Sequence, residues 1–238
     1  MTLAKSVFQC FLRLLSVLIF LCGSQVSAVD APSGVKFEEL RKAAENGAAD
    51  AQFNLGICYG NGDGVPRDAS VAAKWFRKAA EQGHGGAQAA VSRCYGEGLG
   101  VTKDATKSLK WLQKAAEQGH PMSQFNLAAC YADGTGGVAK DAAAAAKWLR
   151  KAAEQGAGIA QYVLGVQYFV GNDVPKDLVS AYMWLSLSNQ GGFKDAGEAL
   201  LTVGSKMTSE QISEAKILSS NWKPKGSRMS HNGYSNPK

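Results

Sequence analysis

Residues 42–47 read Lys-Ala-Ala-Glu-Asn-Gly, and the run Lys-Ala-Ala-Glu-x-Gly returns at residues 78–83, 114–119 and 151–156. Tryptophans and glutamines outside this run recur with the same spacing of 36 or 37 residues. They are Trp75, Trp111, Trp148 and Trp184, and Gln52, Gln88, Gln124 and Gln161. A repeat of this length is typical of supersecondary units that stack into a solenoid. The period therefore predicts the fold more strongly than any single motif does.

A start signal and a stop signal frame a helix around each tryptophan. An aspartate lies seven residues before it, and a glycine lies eight residues after it. These are Asp68, Asp104, Asp141 and Asp177, and Gly83, Gly119, Gly156 and Gly192. Asp accepts the free amide hydrogens of a first helical turn, and Gly adopts the left-handed conformation that often ends a helix. Ala72, Trp75, Ala79 and Ala80 have helical spacing, so we expect the tryptophan on the apolar face.

A further helix precedes this one in each repeat. Ala51, Leu55, Cys58 and Tyr59 fall on one face of it. The position after the leucine is always small, which allows a neighbouring helix to approach closely. It holds Gly56, Ser92, Ala128 and Gly165 in the four repeats. The sequence therefore predicts an all-α fold, an α-solenoid of stacked antiparallel helix pairs.

Residues 51–83 carry the pattern Ala-Gln-x-x-Leu-Gly-x-x-Tyr, then Gly-Val-x-x-Asp, then Ala-x-x-Trp-x-x-Lys-Ala-Ala-x-x-Gly. This pattern resembles the Sel1-like repeat, a relative of the tetratricopeptide repeat, and the resemblance covers residues 37–222. The second repeat departs from it at Val91-Ser92, where the family prefers Leu-Gly. The resemblance implies a protein of the exported bacterial type, with a concave surface that is lined by the first helices and binds another protein.

The first residues of the chain have a different character from the repeats. Lys5 and Arg13 precede an apolar run at residues 14–22, and Val26-Ser27-Ala28 has the small residues of a signal-peptidase site. We therefore expect residues 1–28 to be a cleaved signal peptide. An uncleaved anchor is the alternative, but the apolar run is well short of the roughly 20 residues that span a bilayer. After cleavage we expect no transmembrane segment.

The remaining divisions are a linker at residues 29–36, the solenoid at residues 37–222 and a tail at residues 223–238. The tail holds four basic groups and no acidic ones, together with Gly, Ser, Asn and Pro, so we expect it to be disordered. Residues 29–222 carry 20 basic and 20 acidic groups, although the whole chain has a formal charge of +6. A neutral body argues against a nucleic-acid partner.

The cysteines and histidines are not spaced for metal binding or disulfides. Cys58, Cys94 and Cys130 occupy one equivalent position in successive repeats. Helices in contact lie roughly 8–10 Å apart, whereas a disulfide needs Cα atoms about 4.4–6.8 Å apart, so we expect three buried free thiols. His84 and His120 follow helix-ending glycines, and we expect them to be solvated loop residues. No zinc-ligand spacing is present, so the sequence predicts neither a metal nor another cofactor.

A serine-hydrolase alternative rests on two S-x-x-K matches, at residues 33–36 and 213–216. The companion motifs S-D-N and K-T-G are absent from the sequence. We therefore expect no enzymatic activity. An enzyme acting on a β-lactam or cell-wall substrate stays as the less favoured reading.

The function we predict is that of a non-enzymatic scaffold or adaptor in the bacterial cell envelope, with a protein or peptide partner. The leader predicts export, and the family resemblance implies a periplasmic bacterial protein. A secreted factor that binds host proteins is the alternative. The tetratricopeptide resemblance implies seven groove-facing positions. They are Phe53, Asn54, Ile57, Arg93, Phe125, Asn126 and Tyr162. The aromatic members have a second interpretation, in which Phe53, Phe125 and Tyr162 only fill the space between adjacent first helices.

Overall fold

The computed structural model describes residues 34–171 and 174–225. These residues form eleven α-helices and no strand, which confirms the all-α prediction. In chain order the helices are α1 (Gly34–Glu45), α2 (Ala49–Asn61), α3 (Ala69–Glu81), α4 (Gly85–Glu97), α5 (Ala105–Glu117), α6 (Pro121–Asp133), α7 (Ala142–Glu154), α8 (Gly158–Val170), α9 (Leu178–Gln190), α10 (Ala196–Gly204) and α11 (Ser209–Asn221).

The predicted divisions meet the described residues at both ends. Helix α1 begins at Gly34, inside the stretch that the sequence assigns to a linker. The expected signal peptide at residues 1–28 and the tail from residue 226 onward lie outside the described residues. Lys225, which belongs to the predicted tail, donates its backbone amide hydrogen to the carbonyl of Glu154 at 2.8 Å. Its Nζ also lies 3.3 Å from Oε1 of Glu154.

The chain divides into two compact units, and the division along the sequence falls inside α6. The first holds the described residues up to Asn126 together with Gly136–Val138. The second holds Leu127–Thr135 and the described residues from Ala139 onward. Within the first unit α1 packs on α2, α2 on α3, α3 on α4 and α4 on α5. Within the second unit α7 packs on α8, α8 on α9 and α9 on α10, and α11 also packs on α9. Neighbouring helix pairs therefore stack in sequence order inside each unit.

The predicted caps are present at every helix that contains a repeat tryptophan. Asp68, Asp104, Asp141 and Asp177 each accept a backbone amide hydrogen of the first turn through the side chain. Each aspartate also donates its own amide hydrogen to the carbonyl of a tyrosine at the end of the preceding helix, as Asp68 does to Tyr59 at 2.8 Å. The connector is therefore fixed at both ends. At the other end of these helices the four predicted glycines have φ between +83° and +91°.

The core of the first unit is built from small and medium side chains. Ile57, Phe76, Ala79, Val91 and Cys94 belong to one buried cluster. A second cluster lies beside α1, where Phe37 and Leu55 are buried with three smaller residues. Alanine at the helix contacts leaves room for the backbones to approach. This arrangement explains why a repeat with so few large apolar residues still excludes water from its interior.

Close approach is visible at the small position that follows the repeat leucine. A Cβ atom on Gly56 would lie only 2.6 Å from Cδ1 of Phe76. Ser92 holds the same position in the second repeat, where its Oγ donates to the carbonyl of Ser108 at 2.9 Å and Ser108 Oγ returns a 2.8 Å bond to the Ser92 carbonyl. In the second unit, a Cβ on Gly165 would meet Leu185 Cγ at 2.8 Å. The small residues are therefore packing requirements.

The structure corrects the predicted burial of three tryptophans. Trp75, Trp111 and Trp148 are only half-buried, and the residue that follows each one is in the core. Those core residues are Phe76, Leu112 and Leu149. The stripe that faces the core in α3 is Ala72, Phe76, Ala79 and Ala80, with spacing i, i+4, i+7 and i+8, and Trp75 lies at its edge. Trp184 is the exception, since it is buried edge-on against Trp222 with ring centroids 6.3 Å apart.

No helix in residues 34–171 or 174–225 combines the length and the apolar character needed to cross a membrane.

Candidate functional site

The seven predicted groove residues differ sharply in exposure. Ile57, Phe125 and Tyr162 are buried. Phe53 is half-buried, and its ring packs against Phe76 at a centroid distance of 5.7 Å. Tyr162 lies against Phe193 at 5.0 Å. These contacts favour the second interpretation of the aromatic residues, in which they fill space between helices.

The three polar members of the set remain accessible. Asn54 is exposed, and Arg93 and Asn126 are half-buried. All three lie on the first helix of a repeat, in α2, α4 and α6. An amide and a guanidinium can each donate hydrogen bonds to a peptide carbonyl, and the amide also accepts them. Of the predicted site, these polar groups are therefore the part that can contact a partner without unpacking the core.

His84 has a structural role that the sequence analysis did not predict. It is the N-cap of α4, where its Nδ1 accepts the amide hydrogen of Ala87 at 3.0 Å. Nε2 then carries the proton and faces Oδ1 of Asp50 at 3.4 Å. The ring also stacks on Phe53, with centroids 4.5 Å apart. Burial lowers the pKa of His84, and the Asp50 carboxylate opposes that change.

His120 repeats this role and is even less accessible. It is buried, its Nδ1 accepts the amide hydrogen of Ser123 at 3.2 Å, and the Ser123 hydroxyl lies 2.9 Å away. Burial, with a smaller contribution from His84, lowers the pKa of His120 from 6.5 to about 4. The expectation of solvated loop histidines is therefore wrong. Both rings act as neutral caps, because Nδ1 can accept a hydrogen bond only while it is unprotonated.

The recurrent glutamines have a shared task that their period alone did not reveal. Each donates Nε2 to the backbone carbonyl eight residues earlier, at the end of the preceding helix. The four pairs are Gln52 to Ala44, Gln88 to Ala80, Gln124 to Ala116 and Gln161 to Ala153, at 3.1, 3.3, 3.1 and 3.2 Å. Carbonyl groups at a helix end have no intrahelical donor, so a buried end needs such a partner. The glutamine joins consecutive helices at each repeat.

The lysine of the repeated Lys-Ala-Ala-Glu run covers the half-buried tryptophan. The Nζ atoms of Lys78, Lys114 and Lys151 lie 4.1, 4.6 and 4.2 Å from the ring centroids of Trp75, Trp111 and Trp148. A cation over an indole face contributes about 0.5–1 kcal/mol at an exposed site. This contact explains why lysine and tryptophan recur together at a separation of three residues.

The three cysteines among the described residues carry free thiols. Cys58 and Cys94 are buried, as the sequence predicts, and Cys130 is partly buried. Burial raises the pKa of all three, so each stays a neutral thiol. A neutral, enclosed thiol is a poor nucleophile and a poor metal ligand. These side chains therefore serve as small apolar packing groups.

The described residues give little support to the hydrolase reading. Ser33 lies outside them, and the Ser213 hydroxyl donates to the Ser209 carbonyl of its own helix at 2.9 Å. This bond occupies the hydrogen that a general base would have to remove. Across residues 34–171 and 174–225, no three His, Cys, Asp or Glu side chains converge as a metal site would need.

Comparison with known structures identifies relatives of this arrangement. A protective antigen present in uropathogenic Escherichia coli strains, with an SLR fold, is 36% identical with a TM-score of 0.68, over 79% of this chain and 40% of that one. A Sel1 repeat protein from Oxalobacter formigenes is 38% identical with a TM-score of 0.67, over 72% of this chain and 49% of that one. The chain therefore spans less than half the length of both proteins. No curated protein is similar enough to count as a match.

An immunity protein from Pseudomonas aeruginosa, Pa5087, shares the fold alone. It is 24% identical with a TM-score of 0.52, over 82% of this chain and 76% of that one. The family model for the Sel1 repeat matches four consecutive segments, at residues 49–84, 86–120, 121–156 and 158–193. Each of these segments contains one of the four recurrent glutamines and one capping aspartate. The chain belongs to the Sel1 repeat family.

Proposed function

We propose that this chain is a non-enzymatic scaffold or adaptor of the bacterial cell envelope, which binds a protein partner through the first helices of its repeats. One observation carries the proposal. The polar side chains that recur in every repeat, such as Gln52 and Asp68, are engaged in internal hydrogen bonds. Among the accessible polar side chains of the first helices, Arg93 occurs in one repeat only, and the asparagine at Asn54 returns only as Asn126. In this proposal the recurrent residues maintain the stack, and the variable ones specify the partner.

Arg93 illustrates this division. The equivalent position holds Ile57, Ala129 and Val166 in the other three repeats, so a guanidinium occurs there once. The position of Asn54 holds Ala90, Asn126 and Val163 in the others. An arginine with asparagine amides supplies charge and paired donors and acceptors for an extended peptide backbone. In the proposal these groups line the concave groove that the tetratricopeptide resemblance implies.

The proposed export rests on the sequence of residues 1–28, with basic residues ahead of a short apolar run and a small-residue cleavage site, and the choice of the periplasm rests on the family resemblance. Fractionation of cells that express the full chain tests it, with N-terminal sequencing of the product. A mature protein in the periplasmic fraction that begins at Val29 supports the proposal. An intact leader in the cytoplasmic fraction contradicts it.

A secreted factor that contacts host proteins is the second candidate, because the chain resembles a protective antigen of uropathogenic strains at 36% identity. The same fractionation separates the two. Accumulation in the culture medium favours the secreted factor, and retention behind the outer membrane favours the envelope adaptor.

The binding proposal is tested with Arg93→Ala combined with Asn126→Ala. Affinity capture with the mature protein, followed by mass spectrometry, first identifies a partner from the source cells. Binding of the purified partner should then weaken at least tenfold in the double variant, a loss of about 1.4 kcal/mol. Thermal melting should stay within a few degrees, because neither side chain is in the core.

The matched control is Lys74→Ala combined with Lys110→Ala, which removes two exposed charges from α3 and α5. That variant should bind the partner as the parent does. Unchanged affinity in the Arg93 and Asn126 variant, or an equal loss in the lysine control, would place the binding surface elsewhere.

A further inference from the structure

The first repeat has a hydrogen bond between two side-chain amides that the second repeat lacks. In the first repeat, Gln82 donates Nε2 to Oε1 of Gln52 at 2.7 Å, so both polar ends of the buried Gln52 amide are satisfied. The equivalent residues one repeat later are Gln118 and Gln88. Gln88 is only 3% exposed, and its Oε1 has no hydrogen-bond partner among the described residues. Only the Nε2 end of Gln88 is used, by the Ala80 carbonyl.

Gln118 does not cover this acceptor. Its amide lies beside Gly83 and Gly85, with Nε2 and Oε1 at 3.7 and 3.8 Å from where Cβ atoms on those glycines would stand. A depression of about 480 Å³ is left between α3 and α5, and Gln88 and Gln118 are part of its wall. A buried acceptor without a donor is rare in folded proteins and marks a place where a donor belongs.

The charges around the depression favour a cationic donor. Glu81 and Glu117 both line it, and both are exposed. Glu81 shares its charge with Arg77 at 2.9 Å, and no ion pair to Glu117 forms within the described residues. The one lysine in the wall, Lys114, has its Nζ over the Trp111 ring at 4.6 Å. The Glu117 carboxylate and the unsatisfied carbonyl oxygen of Gln88 attract N–H groups that carry positive charge.

We propose that this depression, the Gln88 recess, binds an arginine side chain of the partner protein. A guanidinium presents five N–H donors in one plane, which would serve the Glu117 carboxylate and, once the buried Gln88 amide turns toward the depression, Gln88 Oε1. Its flat face and slender stem suit a site with a tryptophan wall, and the volume accommodates one such side chain. The inference rests on the proposed function, since the occupant belongs to a protein partner. Neither Arg93 nor Asn126 is among the residues that line the recess.

The test is nuclear magnetic resonance titration of the isotope-labelled mature chain. The probe is a blocked pentapeptide with arginine between two pairs of glycines, and the comparison is the same peptide with norleucine. The Trp111 indole N–H and the Gln88 side-chain amide should shift and saturate with the arginine peptide only. Trp75 is the internal control, because Gln82 already closes the equivalent place in the first repeat.

Two variants make the result specific. Glu117→Gln should weaken the arginine response at least threefold without loss of folding, since its side chain is exposed. Gln82→Ala removes the donor to Gln52 and should create a new arginine response at Trp75, where the parent has none. Equal shifts with norleucine, no effect of Glu117→Gln, or no new response at Trp75 would each overturn the inference and leave the recess as a solvent-filled depression.

The two proposals fail separately. If the chain captures a partner through Arg93 and Asn126 but does not bind the arginine peptide, the proposed function stands and the inference about the Gln88 recess is wrong. If the recess binds the arginine peptide but the Arg93 and Asn126 variant captures its partner normally, the inference about the recess stands and the proposed groove is wrong.

Discussion

The imidazole of His84 stacks on the phenyl ring of Phe53, with centroids 4.5 Å apart and 29° between the planes. Phe53 belongs to the first helix of one repeat, and His84 caps the first helix of the next. The contact therefore joins two repeats at the same point where the histidine holds the amide of Ala87. An aromatic residue that resembles a peptide anchor in sequence is part of the junction between repeats.

Acid should destabilise the chain through His120. The folded-state pKa of His120 is about 4 and its ordinary value is 6.5. Because folding lowers the pKa of His120, the contribution of this residue to stability is complete at any pH above its unfolded-state pKa. The contribution declines as the pH falls from 6.5 toward 4. Protonation also removes the Nδ1 acceptor that holds the Ser123 amide. The loss should approach roughly 3 kcal/mol at the acid end.

Denaturant unfolding of the parent and of His120→Asn, followed from neutral pH to about 4, measures this contribution. Asparagine keeps a capping acceptor but does not titrate. The free energy of unfolding should fall more steeply in the parent than in the variant. Parallel pH profiles would mean that protonation of His120 does not cause the loss of stability in acid, and that protonation of carboxylates does.

Substitutions at Trp75 and Phe76 should have unequal costs. Phe76 is buried against Gly56 and Phe53, so Phe76→Ala should cost about 3–5 kcal/mol. Trp75 is half-buried under Lys78, so Trp75→Ala should cost only about 1–2 kcal/mol. Chemical denaturation of both variants decides between the two positions. The reverse order would place the tryptophan, and not the phenylalanine, in the core.

Two glycines of α2 should respond to alanine in opposite directions. A Cβ on Gly56 would lie 2.6 Å from the buried Phe76 ring, so Gly56→Ala should cost about 1–3 kcal/mol. A Cβ on Gly60 would lie 3.8 Å from Ala72, an ordinary contact, so Gly60→Ala should stabilise the helix by about 0.5–1 kcal/mol. Melting temperatures of the two variants should move apart. A shift in the same direction would show that the helix contact is looser than the structure indicates.

The three thiols should differ in their rates of alkylation. Cys58 and Cys94 are buried and Cys130 is partly buried, and burial raises the pKa of each thiol. Cys130 should therefore react first in the native protein, and all three should react after denaturation. Mass spectrometry of the alkylated peptides measures the order. A disulfide between any two of them, or fast labelling of Cys94, would contradict the helix placement.

Several features of the fold could be predicted because they depend on residues near each other in the sequence. Asp68 caps α3 through the amides of Ser70 and Val71, two and three residues away. Gly83 needs only its own backbone conformation to end the same helix. Such interactions form within one helical turn, so a period of 36 or 37 residues in the sequence becomes a period of helix pairs in space.

The side-chain roles could be predicted less well, because helical spacing restricts a residue to a face but leaves its exact environment open. Trp75 and Phe76 are adjacent and both apolar, and only the packing of α3 against its neighbours decides which is buried. The same limit applies to Phe125 and Tyr162, which are candidate anchors in sequence and buried in the structure. Exposure is a property of the neighbours as much as of the residue.

The sequence by itself determined the helices, their caps and the repeat that relates them, since these depend on local hydrogen bonds and on apolar spacing. Tertiary structure alone decided how each buried amide is satisfied. Gln52 and Gln88 occupy equivalent positions in the sequence. Gln82 donates a hydrogen bond to Oε1 of Gln52, whereas Gln118 does not do so for Oε1 of Gln88. Gln82 lies thirty residues from Gln52 in the sequence and has several rotamers of similar energy. The surrounding packing determines which rotamer it adopts and therefore whether it reaches the buried amide.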